Sequence, residues 1–232
     1  MAPRAEPDPA TSTGPAAADR LPPRSARKRD AILAAAGPMF LRNGYRGTSM
    51  DEIAALAGVS KQTVYKHFAD KEGLFVELVT TTVDASSDPV HAEVLALADS
   101  GDLEADLLDL ARRLLARVVQ PELLELRRLI IGEAGRFPQL GRAFYERGVG
   151  RTVAALGDAF TRLNDRGLLD VDDPTRAAAQ FNWLTMSAPI NQVMMLGPDS
   201  IPTQAELDGY ARSAVTTFLR AYAADPPRRR LK

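Results

Sequence analysis

Apolar residues recur three and four positions apart along almost the whole of this 232-residue chain, and that spacing is the strongest constraint on its fold. The period matches one face of an α-helix, whereas a half-buried strand alternates every second residue. Ala and Leu dominate the apolar positions, and alternating runs of β-branched residues are missing. The pattern predicts an all-α fold with no sheet. No fixed-period repeat is apparent, which argues against a solenoid. Two ends escape the pattern. Residues 1–24, with Pro3, Pro7, Pro9 and Pro15 among Ala, Ser and Thr, read as a disordered arm. Residues 226–232, ending Arg228-Arg229-Arg230-Leu231-Lys232, read as a short basic tail.

Punctuation residues set the helix boundaries. The first helix is predicted over 25–43, stopped by Gly44 and bent at Gly37-Pro38, since Pro38 cannot donate to the carbonyl of Ala34. Three shorter helices follow, near 49–56, 60–68 and 71–84. Ser86-Ser87-Asp88-Pro89 is read as a break, followed by helices near 89–98, 102–118, 121–135, 138–166, 174–196 and 203–224. Two domains result: a helix-turn-helix head over 25–84, with its motif near 50–69, and a larger helical body over 85–225.

Composition removes several classes of function. The chain carries 29 basic and 30 acidic residues, so any nucleic-acid partner must be met by a local excess of charge. The absence of Cys removes disulfides, thiolate nucleophiles and Cys-ligated metals. No stretch approaches the roughly 18 apolar residues a membrane helix needs, and the Pro-rich start is unlike a signal peptide. A cytoplasmic protein with no membrane partner is expected. Only His67 and His91 are present, and no metalloprotease, P-loop or nucleophile-elbow motif occurs. The expectation is therefore no enzyme, no cofactor and no metal.

The most informative stretch runs from Thr48 to Phe68. Ser49, with Glu52 three residues on, fits a capping box that opens a helix with Ile53, Leu56 and Ala57 inward. Gly58 permits the left-handed backbone of a tight turn between crossed helices. Ser60 then caps a second helix, Val59 can staple onto Val64, and Val64 and Phe68 face inward. Lys61, Gln62, Thr63, Tyr65, Lys66 and His67 are left outward on two turns of helix. Short polar helices of this kind fit the DNA major groove. Lys and Gln can reach base edges, Thr can meet a thymine methyl, and Tyr and His can bond phosphate oxygens. Residues 24–72 hold nine basic side chains against five acidic ones, the sign that phosphate contact needs. Asp70 caps the next helix, whose N-terminus bears Lys71 and could clamp a phosphate.

The stretch from Ala31 to Leu78 resembles the DNA-binding domain of the TetR/AcrR family of bacterial regulators. The matching pieces are Ile32-Leu-Ala-Ala-Ala, Phe40…Asn43-Gly-Tyr, Thr48-Ser-Met-Asp-Glu-Ile-Ala, Ala57-Gly-Val-Ser-Lys, Thr63-Val-Tyr and Phe68-Ala-Asp-Lys-Glu-Gly-Leu. The resemblance implies that helix 60–68 lies in the major groove of a double-stranded DNA operator. It implies phosphate contacts from Thr48, Tyr65 and Lys71, and base-side contacts among Lys61, Gln62, Thr63 and His67. It also implies a homodimer, built from the helices near 174–196 and 203–224. Gln62 stands where the family often has Gly, and Pro38 is unusual in the first helix.

Well over half the chain follows residue 86, more than a DNA-reading head requires. A body that holds a small-molecule effector and a dimer interface accounts for the surplus. Phe137, Phe144, Tyr145, Trp183, Met186 and Asn182 are candidates for an apolar pocket, because rings and thioethers adapt to irregular ligands. Trp183, Met194 and Met195 suit an interface or core better than a pocket. Asn182 and Asn191 fit either a ligand or a partner subunit, and His91 reads as a surface residue. The expected function is a repressor that a mostly apolar ligand releases from a palindromic operator. The alternatives are an activator and an architectural DNA-binding protein without ligand control.

Overall fold

The structure is a computed structural model that describes residues 24–224. The arm and the basic tail lie outside the described residues, except Arg24, which already opens the first helix. Ten α-helices follow in order: α1 (Arg24–Gly47), α2 (Met50–Leu56), α3 (Lys61–His67), α4 (Lys71–Leu97), α5 (Leu103–Val118), α6 (Pro121–Glu133), α7 (Pro138–Tyr145), α8 (Arg151–Asp165), α9 (Pro174–Leu196) and α10 (Gln204–Tyr222). A π-helical stretch, Glu146–Gly150, joins α7 to α8, and a 3₁₀ turn, Pro198–Ser200, follows α9. The described residues contain no strand. An isolated antiparallel bridge, Leu169 to Ala223, pins the end of α10 to the turn after α8.

The caps explain most of the boundaries. Asp70, Asp102 and Asp173 each accept the backbone N–H three residues on, at 2.7, 3.1 and 3.0 Å. Pro121, Pro138 and Pro174 occupy first helical positions, where a missing N–H costs nothing. Ser49 caps α2 through the Asp51 N–H, but Glu52 does not complete the expected box. The full capping box forms at Thr203 and Glu206 instead.

Two prolines lie inside helices, and the break expected at the second is absent. α1 stays helical through Pro38 and leaves helical geometry only at Gly44, whose φ is +69°. α4 runs without a break through Ser86–Pro89, where two helices were expected. Proline removes one hydrogen bond from the ladder, yet packing on both sides of the missing bond can hold the helix together. Around Pro89 that support is visible. Arg117 Nη1 donates to the Ser86 carbonyl at 2.8 Å, and Asp84 and Asp88 pair with Arg147 and Arg151 at 2.7 and 2.5 Å. The single helix expected over 138–166 is in turn divided by the π-helical stretch.

Two hydrophobic clusters organise the molecule. The first joins α1–α3 to the front half of α4, through Ile32, Phe40, Ile53, Val64, Leu74, Phe75 and Val79. Its aromatic centre is close-packed, with the Phe40 and Phe75 rings 4.6 Å apart and Tyr45 and Phe75 5.3 Å apart. The second is the body core, built on Leu107, Leu115, Leu156, Phe160, Phe181 and Phe218. α4 belongs to both: residues up to Val83 pack in the first cluster and residues from Val90 in the second. Leu126, Ile130 and Leu140 of α6 and α7 also join the first cluster, so the head rests directly on the body.

Candidate nucleic-acid interface and body cavity

α3 is a seven-residue helix held by its two neighbours rather than by its own length. Val64 is wholly buried and Phe68 nearly so, which anchors one face. Gly58, at φ +65°, makes the turn from α2, and Ser60 Oγ accepts the Thr63 N–H at 3.2 Å. The opposite face carries Lys61, Gln62, Tyr65 and Lys66, all exposed, with Thr63 and His67 partly covered. Tyr65 is 44 % exposed, large for an aromatic ring with no partner stacked over it but the Lys61 ammonium at 5.9 Å. Leu56, expected inward, is also largely exposed.

Not every predicted DNA contact is presented. Lys61 Nζ is bonded to the Asp51 carboxylate at 2.9 Å, which raises the lysine pKa through that hydrogen bond and the accompanying charge. The pair lies in water, so a stronger anion can displace it. Thr63 Oγ1 lies 2.8 Å from Ser60 Oγ and takes part in the cap.

Thr48 and Lys71 are engaged within the protein itself. Thr48 is buried, and its hydroxyl faces the carbonyls of Gly44 and Met39 at 2.8 and 3.2 Å. The Lys71 ammonium donates to the carbonyls of Tyr45 and Thr48 at 2.9 and 3.0 Å and lies 4.7 Å from the centre of the Tyr45 ring. Both side chains close the α1–α2 connection, whose carbonyls have no helical partner. What the start of α4 can offer a phosphate is its backbone, because the first-turn N–H groups of Lys71 and Glu72 lie outside the helix ladder.

In the body, a cavity of about 70 Å³ opens where α4 passes from one cluster to the other. Val83, Ser86, Ser87 and Val90 of α4 form one wall. Leu114, Arg117 and Val118 of α5, Leu123 and Arg127 of α6, and Gly148, Val149 and Thr152 form others. Of the six residues expected in a pocket, Phe144 and Met186 line this cavity. Phe137 packs on Tyr45 at 4.6 Å between ring centres, so it joins head to body. Tyr145 is 56 % exposed and Trp183 41 % exposed, and neither faces the cavity. Helical phase explains this: Tyr145 follows Phe144 by one residue, which turns it about 100° away.

Asn182 is wholly buried one turn before Met186, and neither amide atom has a hydrogen-bond partner among the described residues. It does not itself line the cavity. Asn191, by contrast, is exposed and bonds back to the Ser187 carbonyl. His91, expected at the surface, is partly buried with its Nδ1 unpartnered.

Arg127 was missed from the sequence. It falls between Leu124 and Ile130 at helical spacing, and a charged residue in an apolar stripe was the available signal. Trp183 instead joins Leu184, Ser187, Thr217, Ala221 and Tyr222 in an open groove along α9 and α10. No helix among the described residues is long and apolar enough to cross a membrane.

A compact helical head that presents one short polar helix, carried on a larger helical body, defines a helix-turn-helix DNA-binding regulator. Residues 32–78 match the family of bacterial regulatory proteins of the tetR type, and residues 105–224 match the C-terminal domain of AefR-like transcriptional repressors. A TetR-family regulator of known structure from Mesorhizobium loti is 44 % identical, over 87 % of this chain and 100 % of that one, with a TM-score of 0.82. The flavonoid-responsive regulator FrrA is 34 % identical over 88 % of this chain and 99 % of its own, with a TM-score of 0.71. The DNA-binding transcriptional repressor TetR of Mycobacteroides abscessus is 36 % identical over 85 residues, 37 % of this chain and 41 % of that protein. The likeness to this curated relative thus spans less than half its length. The chain belongs to the TetR family of transcriptional regulators.

Proposed function

We propose that this protein is a cytoplasmic repressor that binds a palindromic operator as a homodimer and leaves it when a small molecule enters the body. The observation that carries this reading is the path of α4. One helix is packed into the head core at its start and the body core at its end, and the cavity lies against the stretch between. Any ligand that pushes Val83, Ser86 or Val90 moves a helix whose first turns hold Phe75 and Lys71. In a dimer the two heads must stand about one DNA turn apart to enter successive major grooves, so a small swing of α4 spoils the fit. A coupling of about 1–3 kcal/mol is enough to change affinity five- to 150-fold.

The groove along α9 and α10, with Trp183 and Leu184 both over 40 % exposed, supports dimerisation through these helices. Exposed apolar surface of this kind marks a protein contact. The relative named as flavonoid-responsive supports an aromatic effector here. The test is a gel-shift titration with DNA flanking the gene, at two salt concentrations. A discrete, salt-sensitive complex that survives nonspecific competitor is expected. Binding that competitor abolishes on that DNA and on sites selected from random sequence would overturn the proposal.

A further inference from the structure

We propose that the effector carries an anionic oxygen group, a carboxylate or ionised phenol, on an apolar ring, and that Arg127 receives it. This rests on the cavity being the effector site, as argued above. Arg127 projects from α6 into the wall of that cavity, and its Nε is buried with no hydrogen-bond partner among the described residues. No carboxylate among them lies within 4.0 Å of its guanidinium. The Phe144 ring lies 5.1 Å from the guanidinium carbon and offers an electron-rich face but no acceptor.

The other half-buried arginines behave differently. Arg29 is paired with Glu77, Arg112 with Asp208 and Arg151 with Asp88, and Arg117 holds the Ser86 carbonyl. Burial alone pushes the Arg127 pKa below its usual value, with no neighbouring charge to oppose the shift. An arginine stays protonated even so, and a half-buried cation whose Nε has no partner destabilises the fold that contains it.

The rest of the lining selects the sign and shape of what fits. Two guanidiniums, Arg117 and Arg127, face the space, and no Asp or Glu lines it. The remaining walls are mostly Val, Leu, Phe and Met, with Ser86, Ser87 and Thr152 as small hydroxyls. An aromatic ring needs more room than the roughly 70 Å³ free there, so it enters by displacing the α4 wall; once in, it removes water, and in the drier site a guanidinium–oxyanion bond strengthens. A cationic ligand meets like charge with nothing to offset it, and a wholly apolar one leaves Arg127 unpaired.

The experiment is calorimetric titration of the full chain with two matched pairs, 2-naphthoate with 2-naphthamide and benzoate with benzamide. Wild type is compared with Arg127→Met, and the unliganded melting temperature of each is recorded. The expected result is that an acid binds at least tenfold tighter than its amide, and that Arg127→Met reduces the ratio to near one. The unliganded variant is expected to melt no lower than wild type, because it loses no hydrogen bond. Amides that bind as tightly as acids in wild type would overturn the inference and leave the cavity as an effector site. A complete lack of binding by all four compounds would overturn the effector-site reading as well. A variant that melts more than about 5 °C lower would assign Arg127 to structure rather than to ligand, since that shift corresponds to more than 1 kcal/mol in a domain of this size.

Discussion

The head and the body differ in the polar side chains they leave without a protein partner. On α3 the polar groups stand in water, where Gln62, Tyr65 and Lys66 need no protein partner, and the polar groups that are buried, such as Thr48, are bonded. In the body Asn182 is buried with both amide atoms unpaired, and the half-buried Arg127 has a buried Nε without a partner. The difference is one of partner size. A DNA groove is larger than the head and can be met only by an external surface, which must be stable before the partner arrives. A small molecule can be enclosed, so part of its recognition can be built as an unsatisfied interior. Unpaired interior groups of this kind lower stability by about 1–3 kcal/mol each, and a bound ligand can restore it.

This contrast can be broken in several places. The largest effect is expected from the double change Tyr65→Ala and Lys66→Ala. Two exposed contacts at about 1–3 kcal/mol each give a loss of roughly 30-fold or more in operator affinity, with an unchanged circular dichroism spectrum and melting temperature. A fall in melting temperature would mean that α3 is not free at its surface. Lys71→Met is expected to behave in the other way. It removes the bonds to Tyr45 and Thr48, so thermal unfolding should move down by several degrees, about 1–3 kcal/mol, with DNA affinity falling alongside. Full stability with weaker DNA binding would return Lys71 to the phosphate-contacting set.

Smaller effects are expected at Pro89 and Asp51. Pro89→Ala restores an N–H toward the Ala85 carbonyl at the stretch where α4 leaves the head core, and should stiffen the helix. The expected outcome is an unchanged operator affinity and an at least threefold higher concentration of naphthoate needed to release DNA in a gel shift. An unaltered response would place the hinge elsewhere. Asp51→Asn frees Lys61 and removes a negative charge from the DNA face. Operator affinity should rise about two- to fivefold, with stability changed by less than about 1 kcal/mol, as suits an exposed pair.

The all-helical architecture and the polar face of α3 are set by the chain's local pattern. Both follow from local rules: apolar spacing of three and four, a glycine with positive φ between α2 and α3, and Ser60 or Asp70 at a helix start. The exposure of Gln62, Tyr65 and Lys66 was legible because a two-turn helix anchored by Val64 and Phe68 has only one other face to show. The roles of Thr48 and Lys71 were not legible. Whether a lysine at a helix N-terminus faces water or turns back depends on carbonyls 23 and 26 residues away in the chain. The continuity of α4 through Pro89 was likewise decided by Arg117, Arg147 and Arg151, which come from other helices. The cavity is the clearest case. Its lining is drawn from six helices and the π-helical stretch, so Phe144 and Met186 could be listed by residue type, while Arg127 becomes meaningful only beside Phe144. Local hydrogen bonding and periodicity are written along a chain, but the absence of a partner for a buried group exists only once the distant segments have packed around it.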